Sequence, residues 1–116
     1  MTHLFPPATA HWRLYHDALV EHVRGLGAVT VLPKQSQVGL AAGAQFAVLQ
    51  PATPERFDVG LKLPGVEPTK RLAPAGRWGG TMTHRVRVPA PGDPDPELLG
   101  WMREAYAASL GRRKDD

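Results

Sequence analysis

Basic side chains in the middle third of the chain are the residues whose types and spacing point most directly to chemistry. Residues 56–88 contain seven lysines and arginines against two acids, a net of +5, whereas the whole chain of 116 residues carries +3. Arginine offers a planar fork of N–H donors that matches a phosphate or a carboxylate, and an indole ring offers a stacking surface. The candidate binding residues are Lys62, Lys70, Arg71, Arg77, Trp78, Arg85 and Arg87.

This concentration of charge predicts a non-catalytic binding module for an anionic partner, with a small ligand and nucleic acid as the two alternatives. The same residues also have a structural explanation, in which the arginines keep an exposed sheet face soluble and Trp78 closes the core. Arginine outnumbers lysine ten to four in the whole chain, which is consistent with that explanation. The alternative function is a structural or interaction domain that forms a homodimer through an open sheet face or an edge strand.

The histidines and serines of the chain do not form a recognisable catalytic or metal-binding motif. His11, His16 and His22 share one segment, but metal-binding histidine pairs on a helix need i,i+3 or i,i+4 spacing. Ser36 and Ser109 lack the G-x-S-x-G context of an activated serine, and the sequence contains no phosphate-binding glycine loop. We therefore expect no metal and no cofactor. The absence of a catalytic motif argues against an enzyme, and a catalytic site assembled in space from distant residues is the least supported alternative.

The composition is that of one small globular domain. Hydrophobic residues make up 42% of the chain and charged residues 22%, and 116 residues are enough to enclose one core. The absence of cysteine excludes disulfides and thiolate chemistry. No apolar stretch approaches the length of a membrane span, and the first residues do not resemble a signal peptide. A soluble protein located in the cytoplasm, without a membrane partner, is the expectation.

Amphipathic helices are predicted near both ends of the chain. In the segment from about Ala10 to Arg24, apolar residues recur at helical spacing, and Thr9 precedes them as the predicted N-cap. A second helix is predicted to begin at Pro96, because Asp95 is a favourable N-cap and proline suits the first helical position.

Five strand-like runs lie between these helices, at residues 28–32, 37–41, 44–50, 57–63 and 83–88. Their short connections favour antiparallel pairing of sequential strands. The predicted fold is therefore α+β, an antiparallel meander sheet of four to five strands with an N-terminal and a C-terminal helix packed on one face. Alternation places Phe46 and Val48 together on one face. It also directs Arg85 and Arg87 outward and His84 toward the core.

A long segment without periodicity, residues 64–82, separates the last two predicted strands and contains four of the candidate binding residues. Structureless loops of this length are uncommon in compact domains, and they are usually functional or mobile. The expected organisation is a single domain over residues 1–116, with a core at about 10–110 and flexible ends at 1–8 and 111–116.

Three segments carry a resemblance to a known family. They are Ala44–Pro51 followed by Phe57–Leu61, the His-Arg strand Thr83–Val88, and the helix Asp95–Tyr106 with its Trp-x-x-x-Ala-Tyr pattern. Together with the first helix, they resemble a bacterial domain family of unknown function, over roughly residues 12–108. Some members are labelled predicted transport proteins, but we set that label aside because no segment resembles a membrane span. The resemblance implies no catalytic residues.

Overall fold

An antiparallel sheet with a helix at each end of the chain forms the framework of the protein. The computed structural model describes residues 7–34, 36–76 and 82–110. A 3-10 helix, Pro7–Trp12, leads into α1, Arg13–Arg24, and the last element is α2, Pro96–Ser109. The strands are β1 (Thr30–Pro33), β2 (Val38–Ala42), β3 (Ala44–Thr53), β4 (Arg56–Leu61), β5 (Ala73–Pro74) and β6 (His84–Val88).

The strands lie in the order β1-β2-β3-β4-β6-β5, and every neighbouring pair is antiparallel. The predicted α+β meander with two terminal helices is confirmed, with six strands where four to five were expected. The additional strand is β5, which lies inside the 64–82 segment and is only two residues long. Alternation cannot reveal a strand that short. None of the helices in the described residues is long and apolar enough to cross a membrane.

The core lies on the sheet face that the helices cover. Val59 of β4 pairs with Val86 of β6, and Leu61 pairs with His84, so these residues point to the same side. The ring of Tyr15 from α1 contacts that of Phe57 at 5.4 Å between centroids, which places α1 against the same face. The buried apolar cluster also includes Leu19 and Val23 of α1, Leu49 of β3, and Leu98, Met102 and Ala105 of α2.

A β-bulge in β3 changes which side chains reach the core. The pairing of β2 with β3 shifts register between Leu40 and Ala41, and Phe46 has no partner in the ladder. Because a bulge places one extra residue on its strand, consecutive side chains can turn to the same side. Phe46 and Ala47 both belong to the core cluster, whereas Val48 does not. The prediction that Phe46 and Val48 share a face is therefore wrong.

The start of α1 also differs from the expectation. The 3-10 helix that precedes it runs to Trp12, which is the N-cap residue of α1 and forms no side-chain cap. Thr9 lies within the 3-10 helix, so its prediction as the N-cap is wrong. The indole N–H of the fully buried Trp12 donates to the carbonyl of Thr53 at 3.1 Å. This bond joins the entry of the helix to the end of β3.

His84 joins the sheet to the segment that follows β4. It is buried on the core face, as the alternation predicted, with 4% of its surface exposed. Its Nε2 lies 3.0 Å from the carbonyl oxygen of Val66, and its Nδ1 lies 2.7 Å from the hydroxyl of Thr83. Both ring nitrogens therefore have a hydrogen-bond partner. The contact with Val66 holds the segment after β4 close to β6.

Candidate anion-binding site

A pocket of about 250 Å³ lies beside β5 and β6, at one edge of the sheet. We call it the basic pocket, and it is lined by Lys70, Arg71, Ala73, Arg85 and Arg87. Four of these five residues carry a positive charge and none carries a negative one, so all the charges on the lining residues have the same sign. Such a surface attracts anions and raises their local concentration.

The strand register explains why a pocket forms at this place. Arg85 and Arg87 are two positions apart on β6, so they point to the same side of the sheet, away from the helices. Arg85 has Gly60 of β4 as its partner on one side and Ala73 of β5 on the other. Because neither neighbour carries a large side chain, the space beside the Arg85 side chain is left open.

The cations of the basic pocket lie at different depths. Arg85 is half-buried, whereas Lys70 and Arg87 are exposed. The Nε atom of Arg85 is buried without a hydrogen-bond partner among the described residues. Within those same residues, none of these three side chains forms an ion pair. An unpaired buried donor costs about 1–3 kcal/mol, so the guanidinium of Arg85 would gain from turning this atom toward an acceptor.

Arg71, the fourth cation, is held by the beginning of α2. Its Nη1 and Nη2 atoms donate to the two carboxylate oxygens of Asp95 at 2.8 and 2.6 Å, and Nη1 also donates to Glu97 at 2.7 Å. Its Cζ lies 5.6 Å from the ring centre of Trp101, within cation–π distance. Bidentate pairs of this kind fix the guanidinium in orientation as well as in position. Arg71 therefore lines the pocket with a guanidinium that is fixed in place by α2.

The charges of Arg71 and Asp95 stabilise each other. The hydrogen bonds from Arg71 lower the pKa of the Asp95 carboxyl to about 2. The hydrogen bonds to Asp95 raise the pKa of the Arg71 guanidinium above its usual range. Both groups therefore remain charged throughout the pH range in which proteins are usually studied.

Asp95 also caps α2, as the sequence predicted. Its Oδ2 accepts a hydrogen bond from the backbone N–H of Leu98 at 3.0 Å, so the predicted N-cap is confirmed. Capping accounts for only part of its role, because the same carboxylate holds Arg71. The sequence did not reveal this contact, since 24 residues separate the two side chains.

Replacing Asp95 with alanine is expected to lower the free energy of unfolding by at least about 0.5–2 kcal/mol, the cost of a lost cap, because the replacement removes both the cap and the partner of Arg71. Chemical denaturation would measure the change. Asp93→Ala is the matched control, since Asp93 is exposed and lies outside the cap. If Asp93→Ala proved the more damaging substitution, the assignment of the cap would be wrong.

Asp95→Asn separates the cap from the ion pair, because asparagine caps a helix about as well as aspartate. The folded-state pKa of Asp95 is about 2, against an ordinary value of 3.8. Its charge-dependent stabilisation is therefore complete above about pH 4 and is lost as the pH falls toward 2. The free energy of unfolding of Asp95→Asn is therefore expected to fall less between pH 5 and pH 2 than that of the wild type. Denaturation curves over this pH range would show the difference.

The structure brings together four of the seven predicted binding residues. Lys70, Arg71, Arg85 and Arg87 line the basic pocket. Lys62 does not, since it lines a separate cavity of about 100 Å³ that includes Ser109 at the end of α2. The remaining two predictions, Arg77 and Trp78, lie outside the described residues.

A second cleft, of about 340 Å³, lies between α1 and β1. His16 is buried there, with its Nδ1 3.1 Å from the carboxylate of Asp17, and burial lowers the pKa of its imidazole. Glu21 and Arg24 also line the cleft, so charges of both signs lie close together. No group of three His, Cys, Asp or Glu side chains in the described part of the chain could hold a metal ion. The basic pocket, whose charged lining residues all carry a positive charge, is therefore the stronger candidate for a charged ligand.

Comparison with known proteins identifies a family but no function. The model of a family described as "Domain of unknown function (DUF5655)" matches residues 1–109 of the chain. This confirms the expected resemblance to a family of unknown function. No curated protein and no solved structure matches the chain significantly.

Proposed function

We propose for this chain, which belongs to the DUF5655 family of domains of unknown function, that it is a non-catalytic module that binds an anionic partner. The observation that carries the proposal is the convergence of four cations on one cavity of about 250 Å³. Only one of the four, Arg71, is ion-paired within the described residues.

The electrostatics of the basic pocket favour a bound anion. Like charges that are brought together repel one another, and self-repulsion destabilises the folded state. A partner with negative charge would offset the repulsion among Lys70, Arg85 and Arg87. It would also supply acceptors for the guanidinium N–H donors of Arg85. Both effects act in the direction of binding.

The chemistry of the lining supports binding over catalysis. A general acid or base must exchange a proton near the working pH, and arginine remains protonated in proteins. Three of the five lining residues are arginines, and Ala73 has no functional group. The remaining residue, Lys70, is exposed to solvent, unlike the buried lysines that act as catalytic bases.

Titration of the protein with inorganic phosphate and with a short single-stranded oligonucleotide tests the proposal. Charges on the pocket are screened over about 30 Å at 0.01 M salt and about 8 Å at 0.15 M salt. We expect calorimetry to show saturable binding of at least one probe at the lower salt concentration, and weaker binding at the higher one. An absence of saturable binding of both probes at low salt would contradict the proposal. Homodimerisation would then become the better explanation if the apparent molecular mass in solution rose with protein concentration.

A further inference from the structure

We infer that the group bound in the basic pocket is a terminal phosphate monoester of a small molecule, in its dianionic form. This inference rests on the proposed function and specifies the ligand class. It follows from the donors that remain available around the cavity, from the size of the cavity, and from the charges at its rim.

Arg71 retains a second edge for a ligand. A guanidinium has five N–H donors, and three of those of Arg71 are engaged with Asp95 and Glu97, so two remain. Since Nη1 donates twice and Nη2 once, the remaining donors are on Nε and Nη2. These two atoms form the side edge of the guanidinium, which can also bind an oxyanion in a bidentate manner. Arg71 can therefore stay anchored to α2 while it contacts a ligand.

Arg85 is the least exposed of the three pocket cations that form no ion pair among the described residues. Its Nε is buried without a hydrogen-bond partner among the described residues, while Lys70 and Arg87 are exposed at the rim. A carboxylate has two acceptor oxygens and one negative charge. A phosphate monoester has three terminal oxygens and a charge of about −1.5 to −2. The phosphate therefore matches both the number of donors and the excess of positive charge better than a carboxylate does.

The size of the cavity favours a terminal group on a small molecule. Pockets that enclose whole ligands usually measure about 300–1,000 Å³ and are largely apolar. The basic pocket is smaller, at about 250 Å³, and four of the five described residues that line it are charged. It therefore suits a charged headgroup, with the rest of the ligand outside. A phosphodiester fits less well, because it has one charge and continues as a chain on both sides.

Calorimetry with methyl phosphate, dimethyl phosphate, inorganic phosphate and sulfate at low salt tests the ligand class. At pH 8 we expect methyl phosphate to bind at least about tenfold more tightly than dimethyl phosphate, the size of effect that one lost charge-assisted hydrogen bond produces. Inorganic phosphate is expected to bind within a fewfold of methyl phosphate, since the pocket recognises the headgroup. Equal affinity for the monoester and the diester would overturn the inference.

The pH dependence gives a second readout. The second pKa of a phosphate monoester is about 6, so only about a tenth of it is dianionic at pH 5. Sulfate remains a dianion at both pH values and reports any titration of the surrounding protein. The titratable side chains near the four cations are those of Asp95 and Glu97 on α2, Asp58 opposite Arg87 on β4, and the buried His84. We expect the ratio of methyl phosphate affinity to sulfate affinity to fall about tenfold from pH 8 to pH 5. An unchanged ratio would contradict dianion recognition.

Arg85→Lys tests the role of the guanidinium. Lysine keeps the charge but lacks the planar fork and the Nε donor, so we expect about a tenfold loss of methyl phosphate affinity with little change in melting temperature. Unchanged affinity would contradict the assigned geometry.

The outcomes also separate the ligand class from the proposed function. If a phosphoserine peptide bound more than about tenfold tighter than methyl phosphate, or if the oligonucleotide bound more tightly than all the small probes, the ligand class would be wrong and anion binding would stand. If none of the anions bound at low salt, both proposals would fail.

Discussion

Reversing the charge of two arginines in the basic pocket, Arg85→Glu with Arg87→Glu, is expected to abolish anion binding. The double change turns two of the four lining cations into anions, so the formal charge of the lining residues falls from +4 to zero. It also removes the Nε donor of Arg85. Charged contacts contribute about 1.5–3 kcal/mol each, so the loss of two corresponds to an affinity at least about a hundredfold weaker. Calorimetry with inorganic phosphate at low salt would measure the loss.

The control for this variant is Arg24→Glu with Arg103→Glu. Both arginines are exposed and neither lines the basic pocket, so the net charge changes by the same amount at other places on the surface. We expect the control to retain most of its phosphate affinity. Equal losses in the two double variants would mean that net charge alone drives the binding, which would contradict a defined site. Melting temperatures of both variants would establish that they remain folded.

Replacing Leu61 with alanine is expected to lower the free energy of unfolding by about 2–5 kcal/mol. Leu61 is fully buried in the core cluster, and it is the last residue of β4. Truncation of its side chain leaves a cavity on the sheet face that the helices cover. The backbone carbonyl of Leu61 would still accept the hydrogen bond from the N–H of Thr83, so the loss reports the side chain alone. Denaturant titration would give the value.

Leu14→Ala is the matched control, because it is the same chemical change at a side chain that is 82% exposed on α1. We expect a change within about 0.5 kcal/mol, as is usual for surface substitutions. If Leu61→Ala were as mild as Leu14→Ala, the position of β4 in the core would be wrong.

Alternation along single strands was the most informative pattern in the sequence. Phe57, Val59 and Leu61 alternate with Asp58 and Gly60, and the observed pairing of β4 places them as the pattern predicted. The same rule directed the two arginines of β6 away from the core. The sequence alone can predict which face a strand residue occupies, because successive side chains of a strand point to opposite faces of the sheet.

Features that depend on contacts between distant residues were not predictable. The bulge at Phe46 depends on how β2 and β3 pair, and alternation within β3 alone cannot show it. The anchoring of Arg71 by Asp95 required the 64–82 segment to return to the beginning of α2. The grouping of Lys62 with the other candidate binding residues was misled for a related reason. Alternation extended β4 to Leu63, whereas the strand ends at Leu61 and Lys62 lines a different cavity.

The most direct test of the central claim is the phosphate titration at low salt, followed residue by residue in the NMR spectrum of the ¹⁵N-labelled protein. Binding in the basic pocket predicts saturable shifts that are centred on Lys70, Arg71, Arg85 and Arg87, with the largest side-chain change at the Nε–H of Arg85. These shifts should be absent from the Arg85→Glu, Arg87→Glu variant. Shifts that do not saturate, or that are spread over the other exposed cations and persist in that variant, would contradict the claim that the pocket is an anion-binding site.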